Sequence, residues 1–241
     1  MERKICSFVL VAVAIAVLAP KSSSEDITTQ VLKQQSRYTL SLELEFNKKN
    51  SNPLERAISL LFDAPNGYAT GFLVGDGLAM TAYHVVSGEL SDSKKIALGF
   101  KPADQLEVKA FVNGCQATVL RVDKDADLAL LEVCGSRKQS KAPAVQETPS
   151  KDEKLLLIAR PHGDKMVSRG IFYGSYTFRG QEYWSVKIDG RDGYSGSPIY
   201  NQKAELVGVF SGYDWSQKLA LVSPAMKAQK LLDDYISSHK P

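Results

Sequence analysis

Strict two-residue alternation marks the first recognisable element. Tyr38, Leu40, Leu42, Leu44 and Phe46 are apolar, with polar residues between them. That period predicts a strand with one buried face. A polar loop follows over 47–52. Asn52-Pro53 with Glu55 can open a short helix, while Ala57–Phe62 reads equally as a strand. From Tyr68 onward short β-like runs recur between Gly, Asn and Asp residues: Thr70–Val74, Leu78–Tyr83, Lys95–Phe100, Val108–Val112, Leu155–Ala159 and Tyr183–Ile188. Many short strands with regular turn signals predict an all-β barrel or sandwich. Only the C-terminus reads as helix. Ser223 can cap it, Pro224 suits its first turn, and Ala228, Leu231, Leu232 and Tyr235 form one stripe. The polar stretch 135–152, with Pro143 and Pro149, reads as the connection between two halves.

The N-terminus has a different pattern. Glu2, Arg3 and Lys4 precede an almost wholly apolar run from Ile5 to Ala19. That run is shorter than the roughly 20 residues a membrane-spanning helix needs. A positive start, a short apolar run and a small-residue end predict a signal peptide over residues 1–24, with an uncleaved anchor as the alternative. The predicted location is therefore outside the cytoplasm, periplasmic or secreted.

Composition narrows the partners. Of the 241 residues, 30 are basic and 27 acidic, a net charge of +3. Such a mild excess argues against nucleic acid as partner, which calls for a clustered basic face. Three cysteines and three histidines, none at metal-ligand spacing, predict no metal and no cofactor. Cleavage of the signal removes Cys6 and leaves Cys115 and Cys134, an even number suited to an oxidising compartment. Between them, apolar runs flank the turn signal Asp123-Lys124-Asp125. Folding this segment as a hairpin about Lys124/Asp125 sets Cys115 opposite Cys134, near bridging distance. A disulfide is predicted, worth on the order of 3 kcal/mol for this loop size. Two buried thiols are the alternative.

Three further segments carry candidate chemistry. One is Gly71-Phe-Leu-Val-Gly-Asp-Gly-Leu-Ala-Met-Thr-Ala-Tyr-His84, where His84 ends a strand-like run. The second is Asp125-Ala-Asp127-Leu-Ala-Leu-Leu. The third is Asp189-Gly-Arg-Asp-Gly193-Tyr-Ser195-Gly-Ser-Pro198. An α/β-hydrolase elbow, Gly-x-Ser-x-Gly, is not met, because Ser197 takes its last position.

Together these segments resemble the chymotrypsin-like (trypsin-like) serine proteases. Thr81-Ala82-Tyr83-His84 is similar to the family's Thr-Ala-x-His motif. Asp127-Leu-Ala-Leu is similar to its buried-aspartate motif, and Gly193-Tyr-Ser195-Gly-Ser-Pro198 to its nucleophile motif. The order His, Asp, Ser is the family's own, and the resemblance spans about Ala57 to His239. Val85 after His84, where other members carry a cysteine, and Ser197 point to the bacterial, disulfide-poor branch, which includes periplasmic stress proteases and glutamyl endopeptidases.

The resemblance implies two six-stranded antiparallel β-barrels with a C-terminal helix. It implies a protease domain over 56–241, with barrels at 56–140 and 150–241, preceded by a one-strand extension over 25–55. A serine hydroxyl needs an adjacent base to attack. The resemblance gives that role to His84, and gives orientation of the imidazole to Asp127. The N–H groups of Gly193 and Ser195 would form the oxyanion hole. Asp189, six residues before the nucleophile, would line the pocket base and favour Arg or Lys; its alternative is a water-facing loop aspartate. Ser211, Gly212 and Tyr213 match the pocket wall, with Tyr213 narrowing it. Tyr194 replaces the aspartate that pairs with a newly cleaved N-terminus in digestive relatives, so activation by that ion pair is not expected. The implied activity is an exported serine endopeptidase acting on proteins or peptides through an acyl-enzyme. A catalytically inactive docking protein on the same fold is the alternative.

Overall fold

A computed structural model describes residues 27–49, 66–134 and 142–239. The signal-peptide segment, the Asn52-Pro53 helix start and most of the stretch before Gly67 lie outside the described residues. A short helix, α1 (Ile27–Gln35), leads into a ten-residue strand, β1 (Thr39–Lys48). The first half then adds β2 (Asn66–Gly75), β3 (Leu78–Thr81), α2 (Tyr83–Ser87), α3 (Asp92–Ala97), β4 (Leu106–Val112), β5 (Cys115–Gln116), β6 (Thr118–Asp123) and β7 (Leu128–Glu132). The second half comprises β8 (Lys154–Ala159), β9 (Met166–Phe178), β10 (Gln181–Lys187), β11 (Pro198–Tyr200), β12 (Leu206–Asp214), β13 (Leu219–Pro224) and α4 (Ala225–Ser238).

The second half is a closed six-stranded barrel, in the order β10-β13-β12-β11-β8-β9. The first is a seven-stranded half-barrel sheet, in the order β5-β4-β1-β2-β3-β7-β6. It departs from the expected closed barrel only at its ends. The two edge strands, β5 and β6, are separated in sequence by Ala117 alone, so one bent segment spans the seam. Strand β1 lies inside this sheet, pairing with β2 from Thr39↔Phe72 to Glu45↔Asn66 and with β4 from Glu43↔Phe111 to Lys48↔Leu106.

Alternation along β1 explains the first core. Leu42, Leu44 and Phe46 point inward and pack with Leu73, Ala79, Val112 and Leu131. The second barrel is filled by Leu157, Phe172, Val186, Ile199, Val222 and Tyr194, among others. A third cluster joins the halves. In it Phe72, Met80, Leu128 and Leu130 of the first half meet Ile158, Tyr200 and Val209 of the second, and the Ala228, Leu231 and Leu232 stripe of α4 covers them.

Two local expectations are corrected. Lys95–Phe100 contributes to a helix, α3, not a strand. Ser91 caps it by accepting the Lys94 N–H, and Asp92 sits in its first turn, where a negative charge suits the helix dipole. Ser223 does not cap α4. Its hydroxyl, fully buried, donates instead to the Ala126 carbonyl at 2.6 Å.

The predicted hairpin forms between β6 and β7, with a register shift between Val119 and Arg121. The turn is Lys124–Asp127, and on the cysteine side of the shift the ladder runs Thr118↔Glu132 and Val119↔Leu131, a register in which the cysteines are not directly opposed. Cys115 instead pairs with Val112 across the β4–β5 hairpin. The Cys115–Cys134 disulfide nevertheless closes, with the Cα atoms 6.1 Å apart.

Candidate active site

His84 does not end a strand. It sits in the single turn of α2, just past β3, and Gly88 terminates that turn at φ +73°. A side chain at Gly88 would collide with the Leu106 carbonyl, so the sharp exit requires glycine.

Asp127 ends the β6–β7 turn in the left-handed region, at φ +52°. Aspartate tolerates that conformation better than most residues. Hydrogen bonds from both halves hold the turn. Asp123 accepts the Ala126 N–H at 2.9 Å, Lys124 O accepts the Asp127 N–H at 3.2 Å, and Ser223 holds Ala126 from the second half.

The two residues grip each other through backbone and side chain. The Tyr83 N–H donates to Asp127 O at 3.0 Å, and the His84 N–H to Asp127 Oδ1 at 2.9 Å. His84 Nδ1 and Asp127 Oδ2 lie 2.8 Å apart. Asp127 is the more enclosed, its side chain 13% exposed against 37% for His84. Tyr183 lies close by; burial first, and then the Asp127 charge, push its phenol up to about 12. The phenol therefore stays neutral beside the carboxylate.

Ser195 comes from the second half, on the loop between β10 and β11. Its Oγ lies 2.8 Å from His84 Nε2. A carboxylate can only accept hydrogen bonds, so an ionised Asp127 leaves the imidazole proton on Nδ1 and the Nε2 lone pair facing Ser195. The structure thus brings together the three residues that sequence held 43 and 68 positions apart.

The surrounding loop is shaped by two glycines. Gly193 and Gly196 both adopt φ +82°. A Cβ on Gly196 would strike Thr70 O and Thr81 Oγ1. Among the described residues the backbone N–H groups of Gly193 and Ser195 have no hydrogen-bond partner. Tyr194, between them in sequence, is buried. Its ring is 1% exposed and meets Phe210 edge-on at 6.2 Å, inside the second core.

Asp189 is exposed. The Tyr213 ring lies against Gly190, where an added Cβ would be 2.6 Å from its Cδ2. Trp215 packs edge-on to Tyr213 at 4.7 Å and is 76% exposed. Ser211 is buried at a β-bulge between Phe210 and Gly212, the kind of irregularity that re-aims residues near sites.

Three nearby residues escape sequence reasoning. Thr70 bonds both Gly193 and Ser195. Pro161 sits against Gly193, with its Cβ 2.6 Å from where a Gly193 Cβ would be. His162, in the same turn, stacks on Tyr68 at 3.8 Å. A polar residue inside the apolar run Ala69–Val74 is the only sequence hint for Thr70. Among the described residues no group of three or more His, Cys, Asp or Glu is placed to hold a metal, and no helix is long and apolar enough to cross a membrane.

Two antiparallel β-halves, with a His–Asp pair from one and a serine from the other at their seam, define the chymotrypsin-like fold of serine proteases. The trypsin-like peptidase domain family matches residues 69–209, and the chain belongs to it. Solved structures agree on the fold. The active form of the Rv3671c protease from M. tuberculosis superposes with a TM-score of 0.60 at 15% identity, over 95% of this chain and 93% of that one. Its inactive form gives 0.55 at 15% identity, over 87% and 94%. The HtrA-type protease AlgW, solved with a decapeptide, gives 0.62 at 14% identity, over 88% and 67%. No curated protein matches the sequence.

Proposed function

We propose that this chain is an exported serine endopeptidase that cleaves protein or peptide substrates through an acyl-enzyme. The observation that carries the reading is the unbroken run from Asp127 Oδ2 to His84 and from His84 Nε2 to Ser195 Oγ, 2.8 Å at each link. In this reading His84 takes the Ser195 proton as Oγ bonds to the scissile carbonyl carbon. The carbonyl π electrons move to oxygen, and the N–H groups of Gly193 and Ser195 hold that oxyanion. Collapse breaks the C–N bond, and the imidazolium returns its proton to the leaving amine. Water then repeats the sequence, and the acid product leaves Ser195 free. Asp127 stabilises the imidazolium and keeps the ring in the reactive tautomer.

Two finer parts belong to this reading. Export is supported by the N-terminal pattern over residues 1–24 and by the Cys115–Cys134 bridge. A small residue before the scissile bond is favoured over Arg or Lys, because the Tyr213 ring lies against Gly190 and takes up space beside the exposed Asp189.

The test is fluorophosphonate labelling of the mature protein beside Ser195→Ala and His84→Ala. Labelling lost in both variants, with their thermal unfolding unchanged, is the expected result. A folded wild type that takes no label sinks the enzyme reading and leaves a docking protein. A fluorogenic panel with Ala, Phe, Lys and Arg before the scissile bond tests the pocket, and fastest cleavage after Lys or Arg would return the selectivity to Asp189.

A further inference from the structure

Gly193 is the hinge of the oxyanion loop. At φ +82° a glycine has little intrinsic preference for how its neighbouring peptides point, so contacts from outside must set their direction. One residue supplies most of them. Thr70, fully buried on β2, donates its hydroxyl proton to Gly193 O at 2.8 Å. Its backbone N–H donates to Ser195 O at 2.9 Å. Thr70 therefore holds the carbonyls of the same two residues whose N–H groups would receive the oxyanion.

The hydroxyl has no freedom to turn away. Its oxygen accepts the Arg160 N–H at 3.0 Å, which leaves its single proton to Gly193. The residue itself is braced, since Thr81 Oγ1 donates to Thr70 O at 2.8 Å. On the far side of the loop, Pro161 closes on Gly193 and the Tyr194 ring is sunk in the second core. Thr70 belongs to the first half, and all its partners here except Thr81 belong to the second. The clamp therefore crosses the seam that separates His84 from Ser195.

We infer that Thr70 is a positioning residue for the oxyanion hole, its hydroxyl fixing the Gly193–Tyr194 peptide and so holding the Gly193 backbone dihedrals at which the Gly193 N–H, one peptide earlier, faces the developing charge. The inference rests on the endopeptidase reading and deepens it. Valine matches threonine in shape but lacks the hydroxyl, and would leave Gly193 O and the Arg160 N–H unpaired. Serine keeps the hydroxyl.

The experiment compares wild type, Thr70→Val and Thr70→Ser by steady-state cleavage of a fluorogenic peptide and by hydrogen–deuterium exchange of the segment 190–198. Thr70→Val should lower kcat about tenfold to a hundredfold, the range expected when a preorganised donor is loosened rather than removed, with KM little changed. Exchange in 190–198 should quicken in Thr70→Val, and Thr70→Ser should restore both readouts. Wild-type kcat and exchange in Thr70→Val would overturn the inference. So would a kcat loss that Thr70→Ser shares in full, which would mark a packing role. The exchange arm needs no turnover. If wild type proves inactive, the endopeptidase reading falls, while faster exchange in Thr70→Val still supports the clamp and unchanged exchange still removes it.

Discussion

The two halves contribute to the site in different ways. The first supplies His84 and Asp127 as a self-contained pair, locked by one ring contact and two backbone bonds that never leave that half. The second supplies Ser195 on a loop whose shape depends on the other half, through Thr70 and the fit of Gly196 under it. The His84–Asp127 pair is thus preformed by local structure. Ser195 and the loop that carries it are placed by association of the halves. Support runs in the opposite direction where Ser223 and Gln181 reach from the second half to the turn before Asp127, donating to the Ala126 and Lys124 carbonyls.

The largest expected effect breaks the self-contained pair. Asp127→Asn should lower kcat by about 10⁴, because the amide can donate to Nδ1 and so favours the wrong tautomer. The fold should be intact by circular dichroism, and a loss under tenfold would mean His84 is oriented by its backbone bonds alone. Next comes the anchor of the dependent loop. Tyr194→Ala removes a 1%-exposed ring from the second core and should cost about 3–5 kcal/mol in urea unfolding. A cost under 1 kcal/mol would deny Tyr194 its anchoring role.

Reduction of the Cys115–Cys134 bridge acts on the first half, at about 3 kcal/mol. Both tryptophans, Trp184 and Trp215, lie in the second half. Since the third core cluster joins the halves, tryptophan fluorescence should shift together with circular dichroism. Separate transitions would show that the halves unfold independently.

The smallest effect lies in the β12–β13 hairpin. Hydrogen bonds from Ser216, then Tyr176, hold the Asp214 carboxyl down at about 2. A carboxyl lowered in the fold stabilises above the ordinary carboxylate range and loses that contribution as pH falls. Stability should therefore decline from about pH 4 toward pH 2. Asp214→Asn should flatten that part of the profile, and an unchanged profile would remove Asp214 as its source.

Much of this was legible in the residues. The alternation of β1, the hairpin between the cysteines and the stripe of α4 are local patterns whose period matches their burial. The three site segments were legible because each carries its own turn or glycine chemistry. The errors were local too. Ser91 and Asp92 are a helix start that the apolar Ile96 and Leu98 obscured. Gly88 marked the end of the His84 turn. Other features are contacts across the chain and leave no local trace. Ser223 has a cap-like position before Pro224, yet its buried hydroxyl finds Ala126 instead, 97 residues away. Thr70 is one threonine in an apolar run until the second half folds against it.

Strand β1 has a practical consequence for anyone who handles the gene. The stretch that matches the family runs from 69 to 209, and it omits β1, β13 and α4. Strand β1 lies between β2 and β4, so an expression clone cut to the matching stretch would lose the middle of a sheet and part both its neighbours. On the ribosome, β1 emerges early but must wait for β4, about sixty residues later, before both its edges are paired.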